Sequence, residues 1–276
     1  MTANLQPLYD GKSTPLMPAM FVGHGSPMNG ISDNLFTRNW AEMANQIPTP
    51  KAVLCISAHW LTRGSMVTAM EKPRTIHDFG GFPQELYQVQ YPAKGNPSLA
   101  KEVAAELSAQ HVSLDHEWGL DHGCWTIARH MYPNADIPVL QLSIDYTKPH
   151  TWHYQVAKQL AVLRRKGVLI IGSGNMVHNL GRVAWDKMDD TDYGYDWAID
   201  ANQTFVDLIE KRQHQSLVNY QDLGKAVNLA VPSPDHYWPL LYVLALQESD
   251  EQAQLFNNHC TAGSLSMTSV LFAAKN

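Results

Sequence analysis

Short apolar runs bounded by turn residues recur along the chain, at residues 17–22, 52–57, 66–70, 138–144, 168–172 and 267–273. Runs of this length and punctuation predict buried strands. Helical periodicity fills the spaces between them. Asn96 and Pro97 form a start signal, after which Leu99, Val103 and Leu107 recur at four-residue spacing on one face. A second helix opens near Pro149 and carries Val156, Leu160 and Leu163; a third runs over about 192–212; a fourth follows Asp235 to about Gln247. Alternating strands and helices predict an α/β fold, because a parallel crossover needs a helix to bring the chain back. The expected architecture is a three-layer sandwich around a mostly parallel or mixed central sheet.

At 276 residues and 45% hydrophobic content the chain can bury a large core. It shows no internal repeat and no low-complexity linker, so residues 16–276 are expected to form a single catalytic domain preceded by a loose extension at 1–15. The proline-rich stretches at 47–50 and 73–97 read as ordered loops. A net charge of −6 provides no broad basic field for a phosphate backbone, which argues against nucleic acid as a partner and for small molecules. Apolar runs such as 240–246 fall far short of the roughly 20 residues that span a bilayer, so no membrane association is expected. The N-terminal residues lack the apolar core of a secretory signal. Three scattered cysteines form neither a disulfide framework nor a CxxC pair, as suits a reducing cytoplasm.

Thirteen histidines are the unusual feature of the composition. Ligands of open α/β sheets bind beyond the carboxyl ends of the strands, and four histidines have that context. His24 lies in Gly23-His24-Gly25-Ser26-Pro27 directly after a predicted strand, and His59 lies in Ser57-Ala58-His59-Trp60 after another. His178 follows the run at 168–172, and His236 sits in Pro232-Ser233-Pro234-Asp235-His236-Tyr237, where Asp235 is a plausible helix N-cap. Any one of them alone reads better as an ordinary core or loop residue. Together they suggest a catalytic metal centre, since neutral imidazole is a common ligand of zinc and iron and these ligands come from distant segments. His111, His116, His130, His150, His153, His214 and His259 lack the context and read as surface or locally hydrogen-bonded groups.

Other chemistries find less support. The glycine positions of a nucleophile elbow are filled by His24 and Met28 around Ser26, and by Ile171 and Asn175 around Ser173. Gly172-Ser173-Gly174 lacks the third glycine of a dinucleotide loop, that position being Val177. Asp121-His122-Gly123 precedes a predicted helix and is equally a cap or an acid/base pair. His77 to Pro83 reads as a loop or a lid. Trp60 and the Phe79–Phe82 stretch suit either an aromatic wall for a ligand or core packing.

Six motifs in order, at residues 23–27, 57–60, 77–83, 120–123, 172–180 and 232–237, resemble the LigB-type class III extradiol dioxygenases, in particular the 4,5-DOPA dioxygenase extradiol group, over nearly the whole chain. The resemblance implies His24, His59 and His236 as metal ligands and His178 as an acid/base or a further ligand. It also implies that His122 contacts substrate or oxygen, with Asp121, His77 and Trp60 as substrate-binding candidates. The implied cofactor is one divalent ion, Fe(II) for oxygenase activity, with Zn(II) possible as the bound or working metal. The implied reaction inserts O2 into a catechol such as L-DOPA, giving a seco-DOPA product that cyclises to betalamic acid. A third histidine replaces the carboxylate of the common iron facial triad, and three histidines also suit zinc. A zinc-dependent hydrolase and a non-catalytic binding module on the same scaffold are the competing readings.

Overall fold

The computed structural model describes residues 16–188 and 190–274; the expected extension at 1–15 lies outside them. In chain order the strands are β1 (Ala19–Gly23), β2 (Ala52–Thr62), β3 (Met66–Thr68), β4 (Ser113–Asp115), β5 (Val139–Asp145), β6 (Val168–Gly174), β7 (Glu251–Phe256), β8 (Cys260–Thr261), β9 (Leu265–Ser266) and β10 (Ser269–Ala274). Helices α1 (Leu35–Gln46), α2 (Gln84–Tyr87), α3 (Pro97–Glu106), α4 (His122–Met131) and α5 (His150–Ala157) come first. They are followed by α6 (Ala161–Arg164), α7 (Asp196–Glu210), α8 (His214–Val218), α9 (Lys225–Ala230) and α10 (Trp238–Leu244).

Eight strands form one sheet in the order β4-β3-β5-β2-β6-β1-β10-β7, while β8 and β9 form a small hairpin. The middle strands β5, β2, β6 and β1 run parallel, and β3, β10 and β7 join antiparallel. Successive side chains of a strand point to opposite faces, and the two cores follow that alternation. Ala19, Phe21, Leu54, Ile56 and Ile170 pack with α3, α5, α7 and α10 on one face. Met20, Val22, Val53, Cys55, Leu169 and Ile171 pack with α1 and α4 on the other. The expected α/β sandwich with a mixed, mainly parallel sheet is therefore present. No helix among the described residues is long and apolar enough to cross a membrane.

The helix predicted from Asn96 is present as α3: Asn96 Oδ1 accepts from Leu99 N at 2.9 Å, and Pro97 takes the first turn, where its missing N–H costs nothing. The segment after Pro149 is helical but segmented into α5, a 3-10 turn over Lys158–Leu160 and α6. Asp235 does not cap α10, which begins after Tyr237 without a side-chain cap. Strands β4 and β7 and helix α1 had no apolar-run signal. β7 is an edge strand of sequence EQAQLF, and its attachment is polar. The buried guanidinium of Arg164 donates to both oxygens of the Glu251 carboxylate, to Leu246 O at 2.5 Å and to Met17 O at 2.6 Å.

That pair joins α6, β7 and the approach to β1 inside the protein, where a lone charge is costly. Removing one partner of a buried ion pair destabilises by about 3–5 kcal/mol, whereas apolar replacement of both is often neutral. Glu251→Ala is therefore expected to lower the urea midpoint strongly, and the double variant Arg164→Met/Glu251→Met to recover most of the loss. A single-variant midpoint equal to that of the unmodified protein would show that the pair does not hold this edge.

Candidate metal centre

The carboxyl ends of β1, β2 and β6 deliver three segments to one place. His24 directly follows β1, and its backbone N–H donates to Gly174 O at the end of β6 (3.0 Å). His59 lies within β2 at a large irregularity: Ile56 pairs with Leu142 and Leu61 with Ile144, so residues 57–60 face Ser143 alone on β5. Such a bulge re-aims side chains out of the regular alternation. His178 follows β6, held by His178 N to Ala230 O at 2.9 Å. His236 arrives on the loop before α10, where its carbonyl accepts from Asn175 N at 3.0 Å. His122 is the first residue of α4. A methyl group at Gly123 would lie 2.5 Å from Ser57 Oγ and 3.0 Å from His59 Cδ2, so only glycine lets α4 approach β2 this closely.

These five imidazoles line one cavity of about 440 Å³. Ring centroids are 5.0 Å apart for His24 and His59, 3.9 Å for His59 and His122, and 5.3 Å for His24 and His236. His178 and His236 stack at 3.5 Å with 7° between their planes. Most of the rings have one nitrogen held by an oxygen. Ser173 Oγ donates its proton to Gly123 O, so at 2.9 Å from His24 Nδ1 it can only accept, which fixes the His24 proton on Nδ1. Asp78 Oδ2 sits 2.9 Å from His122 Nδ1 and 3.4 Å from His59 Nδ1, while Asp235 Oδ2 holds His236 Nδ1.

The opposite nitrogens are thereby left as lone-pair donors facing inward. His24 Nε2 and His59 Nε2 are 3.2 Å apart. Two imidazoles on one ion at about 2.0–2.1 Å in tetrahedral arrangement place their nitrogens roughly 3.3 Å apart, so the spacing suits a shared divalent ion. An oxygen partner on the outer nitrogen is also how metal-binding histidines are usually held. The ligand atoms of His24, His59 and His122 lie within 4.8 Å of one another, and those of His178, Asp235 and His236 form a second such group. Burial, followed by the neighbouring imidazoles, pushes His24 and His59 well below the ordinary histidine pKa. His178 is pushed down to about 3, first by burial and then by His236. These rings are neutral at neutral pH.

Three residues expected to touch substrate do not line the cavity. Asp121 is fully buried and caps α4, accepting from Cys124 N, Ser57 Oγ (2.8 Å) and Gln141 Nε2 (2.7 Å); burial, with Asp78 adding to it, raises its pKa to about 6. His77 donates from Nε2 to Val89 O at 3.0 Å and packs on Phe79, Tyr87 and Trp125. Trp60 is buried against Trp118, stacked at 5.6 Å. From the 77–83 loop it is Asp78, with Phe79 and Phe82, that reaches the cavity. In the sequence Asp78 has no feature that sets it apart from its neighbour His77 or from the turn residues that follow. The need of two imidazoles for a shared acceptor was the signal that would have found it.

The model of a family described as the catalytic LigB subunit of aromatic ring-opening dioxygenase matches residues 15–273. The chain is 48% identical over 265 residues to an Escherichia coli (strain K12) protein named 4,5-DOPA dioxygenase extradiol, covering 94% of this chain and 95% of that one. It is 34% identical over 271 residues to the Beta vulgaris protein of the same name, covering 96% and 99%. The crystal structure of an uncharacterized E. coli K12 protein superposes with a TM-score of 0.78 at 41% identity, covering 93% of this chain and 100% of that chain.

Because Asp78 faces two imidazoles, Asp78→Asn is expected to weaken divalent-metal binding by about 10–100-fold, the usual effect of losing an outer partner. Competition with a chromophoric chelator measures it. Unchanged affinity would remove Asp78 from the centre.

Proposed function

Because the chain belongs to the LigB family of aromatic ring-opening dioxygenases, we propose that it cleaves a catechol such as L-DOPA with O2 in the extradiol manner. For L-DOPA, 4,5-cleavage gives seco-DOPA, which closes to betalamic acid. Both oxygen atoms enter the product, the carbon–carbon bond beside the diol breaks, and the ring supplies the electrons, so no external reductant is consumed. The observation that carries the reading is the cavity with its two bare imidazole nitrogens 3.2 Å apart. Residues 16–276 act as one catalytic domain in this reading, since the cluster draws on segments from His24 to His236.

His24, His59 and His236 are the proposed ligands of one Fe(II), with Zn(II) as an ion the same donors can hold. When bound, the ion supplies open positions for the catechol oxygens and O2 and lowers the pKa of the diol. The remaining steps belong to side chains. His178, neutral and stacked on His236, accepts the phenolic proton at a ring nitrogen and returns it as the dioxygen bond breaks. His122, anchored through Nδ1 to Asp78, accepts from a substrate hydroxyl at Nε2 and fixes the orientation of the ring. The apolar side chains of Phe79 and Phe82 flank the site and limit the access of water to the reacting atoms.

Anaerobic loading with Fe(II), followed by L-DOPA and air, is expected to give O2 uptake and a visible chromophore that a Zn(II)-loaded sample lacks. In His178→Ala, metal content should persist while turnover falls by about 100-fold or more, the scale of a lost acid/base group. No uptake with iron bound, across simple catechols, would turn the reading toward zinc-dependent hydrolysis or a binding role. His122 is the competing third ligand, because its ring groups more tightly with His24 and His59. Metal content separates the two: His236→Ala is expected to lose the ion and His122→Ala to keep it, and the reverse result would exchange their roles.

A further inference from the structure

The cavity is imidazole at its floor and apolar at its mouth. Leu180, Val183, Trp185 and Met188, all from the stretch after β6, line it together with Phe79 and Phe82. Trp185 is 70% exposed and Leu180 57% exposed. Side chains that open to water contribute little to the core, yet these two adjoin the histidine cluster. Their backbone is also fastened: Asn179 N donates to Ser264 O at 3.1 Å, Asn179 Nδ2 to Leu229 O at 2.8 Å, and Ala184 N to Ala262 O at 2.9 Å. The wall is thus held open beside the site by hydrogen bonds on both sides of Leu180.

We propose that this wall is the specificity-determining subsite, with Trp185 its principal contact, and that it takes an uncharged alkyl or aryl substituent on the catechol ring. The inference rests on the catechol-cleaving reading above. A ligand held with its diol at the histidines directs its ring substituent outward, between the Phe79–Phe82 turn and Trp185. Apolar groups gain there by leaving water. Among the described residues that line the cavity, the acidic side chain is Asp78, already committed to His122, and none is Lys or Arg. A carboxylate on the substituent would lose hydration without gaining a partner. L-DOPA, whose substituent ends in a zwitterion, is therefore accepted less well than a catechol with an uncharged chain of the same length.

The test compares 4-propylcatechol with 3-(3,4-dihydroxyphenyl)propanoate, which has a side chain of equal length ending in a carboxylate, and with L-DOPA. Binding to the Fe(II)-loaded protein is measured by calorimetry under argon, and kcat/KM by O2 uptake after air is admitted. The propyl compound is expected to bind at least about tenfold more tightly than the propanoate, the scale of a single terminal group that gains burial in one compound and loses hydration in the other. Trp185→Ala should reduce that ratio by about the same factor, and Trp185→Phe should preserve it. An equal or inverted ratio in the unmodified protein, with uptake present, overturns the subsite alone. An unchanged ratio in Trp185→Ala overturns the part assigned to Trp185. Neither binding nor uptake of any catechol by the iron-loaded protein overturns the catalytic reading and the subsite with it.

Discussion

Five imidazoles can share one small cavity only if most of them are uncharged. Burial and mutual repulsion act together on His24, His59 and His178 and hold them as neutral rings. A neutral imidazole has one proton and one lone pair, and which nitrogen has which depends on the partner outside the cavity. Ser173 makes that choice for His24, Asp78 for His122, and Asp235 for His236. The lone pairs then converge inward. Protonating these rings would turn a set of ligands into a set of repelling cations, so the chemistry of the site depends on this arrangement.

The fold meets the requirement through its parallel centre. β1, β2 and β6 end at the same edge of the sheet, which brings residues far apart in sequence within contact of each other. Asn175 ties the segments together: its backbone N–H donates to His236 O, its amide to Ser266 O, and its side-chain oxygen accepts from Gly25 N. Gly174 permits this contact, because a methyl there would lie 2.2 Å from His236 O. The bulge in β2 turns His59 toward His24 although the strand continues to Thr62. Rigid strand ends, with short loops hydrogen-bonded across them, hold the rings more firmly than a mobile surface loop would.

Legibility in the sequence followed burial. The central strands announced themselves as unbroken apolar runs because both of their faces are covered. Edge strands have no such requirement: β7 alternates exposed Gln252 and Gln254 with buried Glu251 and half-buried Ala253 and Leu255 and is fastened through Arg164, and β4 is two exposed residues and one half-buried. His24, His59 and His178 are legible because they follow apolar runs, His24 also lying between two glycines, and His236 because prolines fix the loop that carries it. Asp78 is not, since an aspartate in a loop of glycine and proline looks like turn chemistry. Trp60 stacks on Trp118 and Asp121 caps α4, contacts that depend on the orientation of a side chain rather than its place in the chain.

From the sequence alone came the layer architecture, the parallel centre and the histidines at the strand ends, because hydrophobic periodicity and strand-end position are local properties of a chain. The order of the strands, the bulge at His59, the sharing of Asp78 between two imidazoles and the apolar wall around Trp185 arise from contacts between residues distant in sequence. A local pattern can place an imidazole at the end of a strand. Only the packed tertiary structure determines which of its nitrogens faces inward and what stands behind the other.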